Sequence, residues 1–373
     1  MIEQIKLENF KCHRNFEGKL NQINLLAGGN AAGKSSIIQA ILLALKSCQN
    51  IDRKFVKTND VCGQNLGLPI SIISENFDEA IVKIGIRLLA EGTRDYDVLL
   101  KLNELDETSF EICESEEMLS NLAAPNSLLK ENIYYLNAER LGPRVVYDMS
   151  SDKNDYVGSF GEHTGFVINE VDKEQRLNPR LSLPDKLRIS SISRFSANCE
   201  EWLQTIIPGT TLQYAVDTEK NMSMLKFQND GDYYLPPATG FGISYVLPIV
   251  VQALLASMKE NSVLLVENPE AHLHPYSQSA IGKFLAYIGA CGVQVIAETH
   301  SEHVIDGCRL QLAYLGKCDL MKTIFFSKMN QESAYREIKT EKNGELEEWP
   351  EGFFDQKRLD LRELLEMRIK CAK

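Results

Sequence analysis

The chain has 373 residues, 44% of them hydrophobic and 25% charged, with a formal net charge of −12. That length suits one large or two ordinary domains, and the acidic balance excludes a surface that binds nucleic acid everywhere by neutralising phosphates. No apolar run approaches the ~20 residues of a membrane span, the opening Met1–Lys6 lacks the pattern of a secretory leader, and nine cysteines without a Cys-x-x-Cys pair suit a reducing cytoplasm better than a disulfide framework or a structural zinc site.

Ile5, Leu7 and Phe10 mark a first strand, followed by a turn near Lys11–Arg14 and a second strand near Phe16–Leu20. A short apolar strand, Ile23–Ala27, then runs into Gly28-Gly29-Asn30-Ala31-Ala32-Gly33-Lys34-Ser35-Ser36, which fits the phosphate-binding loop at every defined position. The glycines let backbone N–H groups turn toward phosphate oxygens, Lys34 supplies a charge for the β and γ phosphates, and the Ser35 hydroxyl is placed to ligate Mg²⁺. After the loop, Ile37, Ile38, Ile41, Leu42 and Leu45 recur at helical spacing between Ser35 and Lys46, so the phosphate would rest on a helix N-terminus. ATP and Mg²⁺ are the expected ligands.

Residues 51–70 read as loop, 79–102 as two strands and 103–132 as an acidic, more helical stretch. A strand at Asn132–Leu136 leads into Asn137–Arg144. Arg140 and Arg144, like Lys6, Lys11 and Arg14 near the start, form a small basic group read as a solvated face. Residues 150–232 read as an inserted, mostly helical lobe. Beyond it, a helix over Ser244–Met258 tolerates Pro248 only near its first turn. Strands at Ser262–Val266 and Val293–Ala297 flank a helix at Ser277–Gly289, and a last strand, Thr323–Phe326, precedes an acidic tail. Apolar strands alternating with helices predict an α/β fold with a parallel core sheet flanked by helices and mixed strands at the N-terminus. The expected division is 1–149 and 233–330 as two parts of one head, 150–232 as the lobe and 331–373 as a tail segment.

Val263–Val266 runs into Glu267, which puts a carboxylate at the sheet edge where a phosphate-loop protein needs its Mg²⁺ acid. The run that follows, Asn268-Pro269-Glu270-Ala271-His272-Leu273-His274-Pro275, resembles the Walker B and D-loop region of ABC-type ATPases, in the branch of the SMC-like proteins and the OLD nucleases. Gly240-Phe241-Gly242-Ile243-Ser244 sits where the ABC signature belongs, Glu298-Thr299-His300-Ser301 resembles the switch-histidine segment, and the opening Ile5-x-Leu7-x-Asn9-Phe10-Lys11 is typical. Tyr135–Arg144 and Trp349–Gln356 resemble bacterial ATPases whose C-terminal piece is a domain of unknown function.

The resemblance implies an ABC-ATPase-like head in which two copies sandwich ATP. Gly240, Phe241, Gly242 and Ser244 of one copy would cap the γ-phosphate gripped by the other, and His300 would contact that phosphate. It also implies a homodimer or larger homo-oligomer controlling a separately encoded effector, a nuclease or toxin, in anti-phage defence. The alternatives are a DNA-repair or recombination ATPase that clamps DNA, and a nucleotide-locked scaffold. The family's catalytic carboxylate position holds Asn268, and an amide is a poor proton acceptor. Either Glu270 polarises the attacking water, beside Glu267 and His300, or hydrolysis is slow. His272, His274, His300 and His303 with Glu298 and Glu302 carry ligand-type atoms, but no His-Glu-x-x-His is present and their order follows the nucleotide motifs. Gln64 is the one candidate for a glutamine loop. With no heptad arms and no Asp-x-Asp cluster after His300, the chain is expected to act as an ATPase module that does not itself cut DNA.

Overall fold

The structure, a computed structural model, describes residues 1–74, 80–90, 92–113, 116–123, 132–149, 155–177, 183–229, 232–238, 240–329, 332–350 and 352–371. A first sheet joins β1 (Ile2–Phe10), β2 (His13–Lys19), β4 (Phe55–Lys57), β5 (Ile81–Ala90), β6 (Gly92–Leu102) and β7 (Ser109–Cys113) in the order β2-β1-β5-β6-β7-β4. All of its pairings are antiparallel. The second sheet joins β3 (Ile23–Gly28), β8 (Asn132–Leu136), β13 (Ser262–Glu267), β14 (Gln294–Glu298), β15 (Met321–Met329) and β16 (Glu332–Lys339) in the order β16-β15-β3-β14-β13-β8. Its β15-β3-β14-β13-β8 pairings are parallel, and β16 closes one edge antiparallel to β15.

The parallel strands β13 and β14 have apolar centres because both of their faces are covered. Leu26, Val263, Leu265 and Ile296 point into one core with α1 (Lys34–Gln49) and the first sheet. Leu25, Leu264, Val266, Val295 and Ala297 point into a second core with α6 (Phe241–Ala256), α7 (Pro275–Ala290) and α8 (Glu302–Leu315). This two-sided burial is what draws the C-terminal ends of β3, β13 and β14 to a common edge.

The lobe is more helix than strand, as expected, but holds a sheet that the expectation lacked. It carries α4 (Thr164–Leu177) and α5 (Phe195–Ile206), but also a sheet of β10 (Thr210–Asp217), β11 (Met222–Asn229) and β12 (Tyr233–Tyr234), which β9 (Tyr147–Asp148) joins. The polar residues that weaken the pattern there lie on strands covered on one side: Leu212, Leu225 and Phe227 are buried, whereas Gln213 and Lys226 are exposed. Phe166, Leu187, Phe195 and Trp202 belong to the same core as α6 and α7, so the lobe is continuous with the head.

Three further expectations are corrected. Pro248 lies well inside α6 rather than in its first turn. Burial from Ile243 to Ala256 outweighs the lost backbone bond, and Gly161, at a left-handed φ of 75°, packs against the proline ring. The 103–132 stretch contains β7 before α3 (Glu116–Ala123), and residues 124–131 lie outside the described residues. The loop-like 51–70 stretch holds β4 and opens the short α2 (Pro69–Ile72), and the tail contributes β16, a buried Phe353 packed on Phe325 and a solvent-exposed α9 (Gln356–Cys371). Among the described residues no helix is long and apolar enough to cross a membrane.

Helices α7 and α8, which carry the loops on either side of the site, touch through glycines. A Cβ on Gly282 would lie 2.2 Å from the Val304 carbonyl oxygen, and one on Gly307 2.1 Å from that of Ser279. Gly307→Ala gains about 1 kcal/mol of helix propensity. Forcing apart two helix backbones that cannot retreat costs more, about 3 kcal/mol. Urea unfolding should therefore show a net loss of about 2 kcal/mol, and a stabilised variant would refute the contact.

Candidate nucleotide site

The loop after β3 is shaped by conformation as much as by composition. Gly28 has φ 136° and Gly33 has φ 103°, and between them Ala31 adopts φ 57°. A side chain at Gly28 would strike the Phe326 backbone at 2.0 Å, and one at Gly33 would strike His13 and Cys12. His13 also bonds the Gly33 carbonyl through Nε2 at 2.9 Å and sits against Phe16 and Phe326. From β16, the Ser333 hydroxyl donates to the Ala32 carbonyl at 2.6 Å, so the C-terminal segment braces the loop. Lys34 folds back on the loop: its Nζ donates to the Gly28 and Gly29 carbonyls at 3.0 and 2.7 Å and lies 3.9 Å from Glu298 Oε1. Burial pulls its pKa below the ordinary lysine value, while Glu298 and Glu270 oppose the shift.

These groups open onto a cavity of about 460 Å³ lined by Lys11, Cys12, Asn30–Ser36, Ala138, Glu267, Asn268, Glu298 and His300. That size falls in the range of ligand pockets. Glu267 ends β13 directly opposite Glu298 at the end of β14. Glu267 Oε1 accepts from the Tyr135 hydroxyl and from Gln64 Nε2, both at 3.1 Å, and Gln64 also bonds that hydroxyl. Gln64 thus comes to the carboxylate although 203 residues separate them in the chain. With the Ser35 hydroxyl, the buried Glu267 carboxylate offers oxygen donors that fit a hard divalent cation such as Mg²⁺.

Glu270, expected beside the attacking water, is not among the described residues that line this cavity. Its Oε1 accepts from the His300 backbone N–H at 2.6 Å and its Oε2 from the Thr299 hydroxyl at 2.8 Å, which ties the D-loop to the switch segment. His300 itself faces the cavity, with Nε2 3.7 Å from Glu298 Oε1. The other histidines serve elsewhere: His272 packs on Phe241 and Tyr245, and His274 caps α7. Gly240 caps α6, and Gly240 and Phe241 are exposed, whereas Ser244 is buried and turned inward. Gly242 lets α6 approach the His272 carbonyl, which a Cβ would meet at 3.0 Å.

Arg140 is not on a solvated face but fully buried. Its guanidinium donates to the Asn137, Glu267 and Asn268 carbonyls at 2.7 Å each and to the Tyr245 carbonyl at 3.1 Å. Burial lowers its pKa to about 10, which leaves it charged near neutrality. It joins the end of β13 to α6. Sequence reasoning misses two residues here: Arg140 has no local pattern that marks burial, whereas Glu298 repeats the apolar-strand-then-carboxylate pattern that identifies Glu267.

A glycine-rich loop at the edge of a parallel sheet, an acid ending a nearby strand of that sheet and an antiparallel N-terminal sheet define a P-loop fold of the SMC-head kind. The chain belongs to the family described as "AAA domain, putative AbiEii toxin, Type IV TA system", whose model matches residues 23–306. Residues 322–364 match a family described as a protein of unknown function, DUF3696. In fold it is similar to an Smc head bound to the C-terminal winged-helix domain of ScpA, with TM-score 0.58, 16% identity and coverage of 91% of this chain and 98% of that one. It is also similar to an Smc head with an extended coiled coil, bound to the C-terminal domain of ScpA, derived from Pyrococcus furiosus, with TM-score 0.55, 13% identity and coverage of 100% and 99%. A 62-residue segment is 36% identical to structural maintenance of chromosomes protein 6 of Dictyostelium discoideum, spanning 16% of this chain and 5% of that protein.

Burial, with Glu298 alongside, raises the Glu267 carboxyl from its ordinary 4.5 to about 7 against the hydrogen bonds from Tyr135 and Gln64. An acid raised in the folded state contributes stability fully below about 4.5 and loses it as pH rises through about 7. In cation-free protein, Glu267→Gln should therefore be more stable than wild type by about 3 kcal/mol at about pH 8, with the difference vanishing below about pH 4.5. Denaturant titrations across that range check it, and a pH-independent difference would refute the buried carboxylate. Arg140→Lys, which cannot reach four carbonyls at once, should cost about 3 kcal/mol by the same measurement.

Proposed function

We propose that the chain binds ATP with Mg²⁺ in the Lys34 cavity, hydrolyses it slowly, and uses the bound nucleotide to join two copies into a sandwich that controls a separate effector protein. The observation that carries this reading is the convergence of Asn30–Ser36, Glu267 and His300 on one open cavity. Lys34 leaves its two loop carbonyls for the β and γ phosphates, and Ser35 with Glu267 holds the cation, which neutralises phosphate charge when bound. Gln64 and Tyr135 orient the Glu267 carboxylate, and His300 reads the γ-phosphate. Asn268 supplies no base after Glu267, which favours low turnover.

The Gly240–Gly242 turn is not among the described residues lining its own chain's cavity, yet it presents an exposed helix N-terminus. Such an end suits the γ-phosphate of a second copy. Ser244 supports the turn from inside rather than touching phosphate. The toxin–antitoxin wording of the family description supports a role in a system of that kind; the resemblance of the motifs carries the remainder of the reading, a separate effector of nuclease or toxin type in cytoplasmic anti-phage defence. A DNA clamp is the second reading, favoured by a recess where Lys46, Arg53, Phe55 and Lys57 stand with Asn50, Asn59 and one acid, Asp60. Salt-dependent binding of the isolated protein to DNA would support it.

Lys34→Ala should weaken ATP binding about 10- to 100-fold and abolish phosphate release, as read by a fluorescent-nucleotide titration and a phosphate assay. Phe241→Glu should keep ATP affinity but remain monomeric with a non-hydrolysable ATP analogue and Mg²⁺, where light scattering shows wild type as a dimer. A wild-type monomer under those conditions would overturn the sandwich.

A further inference from the structure

ATP hydrolysis calls for an acceptor oxygen that faces the water attacking the γ-phosphorus. Four side chains at the sheet edge could offer one. Glu267 Oε1 already accepts from Tyr135 and Gln64. Asn268, at φ 45°, is a neutral amide. Both Glu270 oxygens are taken by Thr299 and His300.

Glu298 differs from all three. It is only 5% exposed and lines the cavity. Its Oε1 lies 3.9 Å from Lys34 Nζ and 3.7 Å from His300 Nε2, while its Oε2 is buried with no hydrogen-bond partner among the described residues. Strand β14 runs between β3, which delivers the phosphate loop, and β13, which delivers Glu267. Glu298 therefore emerges between the lysine that marks the γ-phosphate and the acid that holds the cation.

We propose that Glu298 is the catalytic base of this ATPase, standing in for the carboxylate missing at Asn268. The inference rests on the ATP reading given above. The water oxygen forms a bond to the γ-phosphorus as the bond from that phosphorus to the β–γ bridging oxygen breaks. ADP leaves with the electron pair, and the water proton passes to the Glu298 carboxylate, which later returns it to solvent. Before nucleotide arrives, Lys34 and His300 hold the carboxylate in place. The triphosphate draws Lys34 away and frees an acceptor oxygen for water.

The test compares wild type with Glu298→Gln and Glu298→Asp, using fluorescent-ATP affinity, steady-state phosphate release and the nucleotide recovered from denatured complexes. Glu298→Gln should lower kcat about 100-fold or more with KM and ATP affinity within about threefold of wild type, and should yield bound ATP where wild type yields ADP. Glu298→Asp, with the charge kept one methylene short, should retain part of the turnover, and it carries the same test should the glutamine variant fail to fold. Wild-type turnover in Glu298→Gln, or in Glu298→Asp if that variant alone folds, overturns the assignment and leaves ATP binding intact. So does loss of ATP affinity along with turnover, which would make Glu298 a ligand for the nucleotide or its cation. A wild-type protein that binds ATP without hydrolysing it also overturns the assignment, whereas one that does not bind ATP overturns the underlying reading itself.

Discussion

The parallel pairing of β13 with β14 places Glu267 opposite Glu298, and the rest of the site is arranged around that juxtaposition. Two charges on strands ~4.8 Å apart repel by roughly 3 kcal/mol at the effective dielectric of a protein site. The repulsion is sustained because the residues behind it are committed to burial. Val263–Val266 and Val295–Ala297 are fully covered, and each large apolar side chain among them contributes about 1.5–3 kcal/mol on leaving water. The core thus holds the carboxylates at an edge where, without a cation, they are poorly placed.

Arg140 provides the second constraint. A guanidinium offers five donors in a fixed fork, and here they reach carbonyls from the β8–β9 connection, from the end of β13 and from α6. The Tyr245 carbonyl lies one turn along the helix that Gly240 opens, so a tilt of α6 is felt at the Glu267 main chain. Glu270 ties the D-loop to the switch segment in the same manner. The segments expected to meet nucleotide and a second copy are therefore joined by hydrogen bonds that are buried at Arg140 and exposed at His300.

Much of this was legible in the linear chain. The phosphate loop, the strand before it and the helix after it are specified by neighbours within a few residues, and α1 runs from Lys34 to Gln49 where the spacing predicted a helix from Ser35 to Lys46. The apolar runs of β8, β13 and β14 were equally readable, because strands buried on both faces need no alternation. The lobe sheet was not, since its strands have one polar face and lie between helices. Arg140 was misread because arginine is ordinarily exposed, and only the set of facing carbonyls accounts for its burial.

The sequence by itself determined the pattern of the candidate site: a glycine-rich loop of phosphate-binding type, an acid at the end of an apolar strand and an amide directly after it. Those are short-range patterns, and the chemistry of each residue type limits what it can do. Only the tertiary structure decided which carboxylates face the cavity, that Gln64 reaches Glu267, and that Glu270 is turned to the switch segment while one Glu298 oxygen has no partner among the described residues. Those outcomes depend on strand order and register, which are set by contacts between residues far apart in the chain.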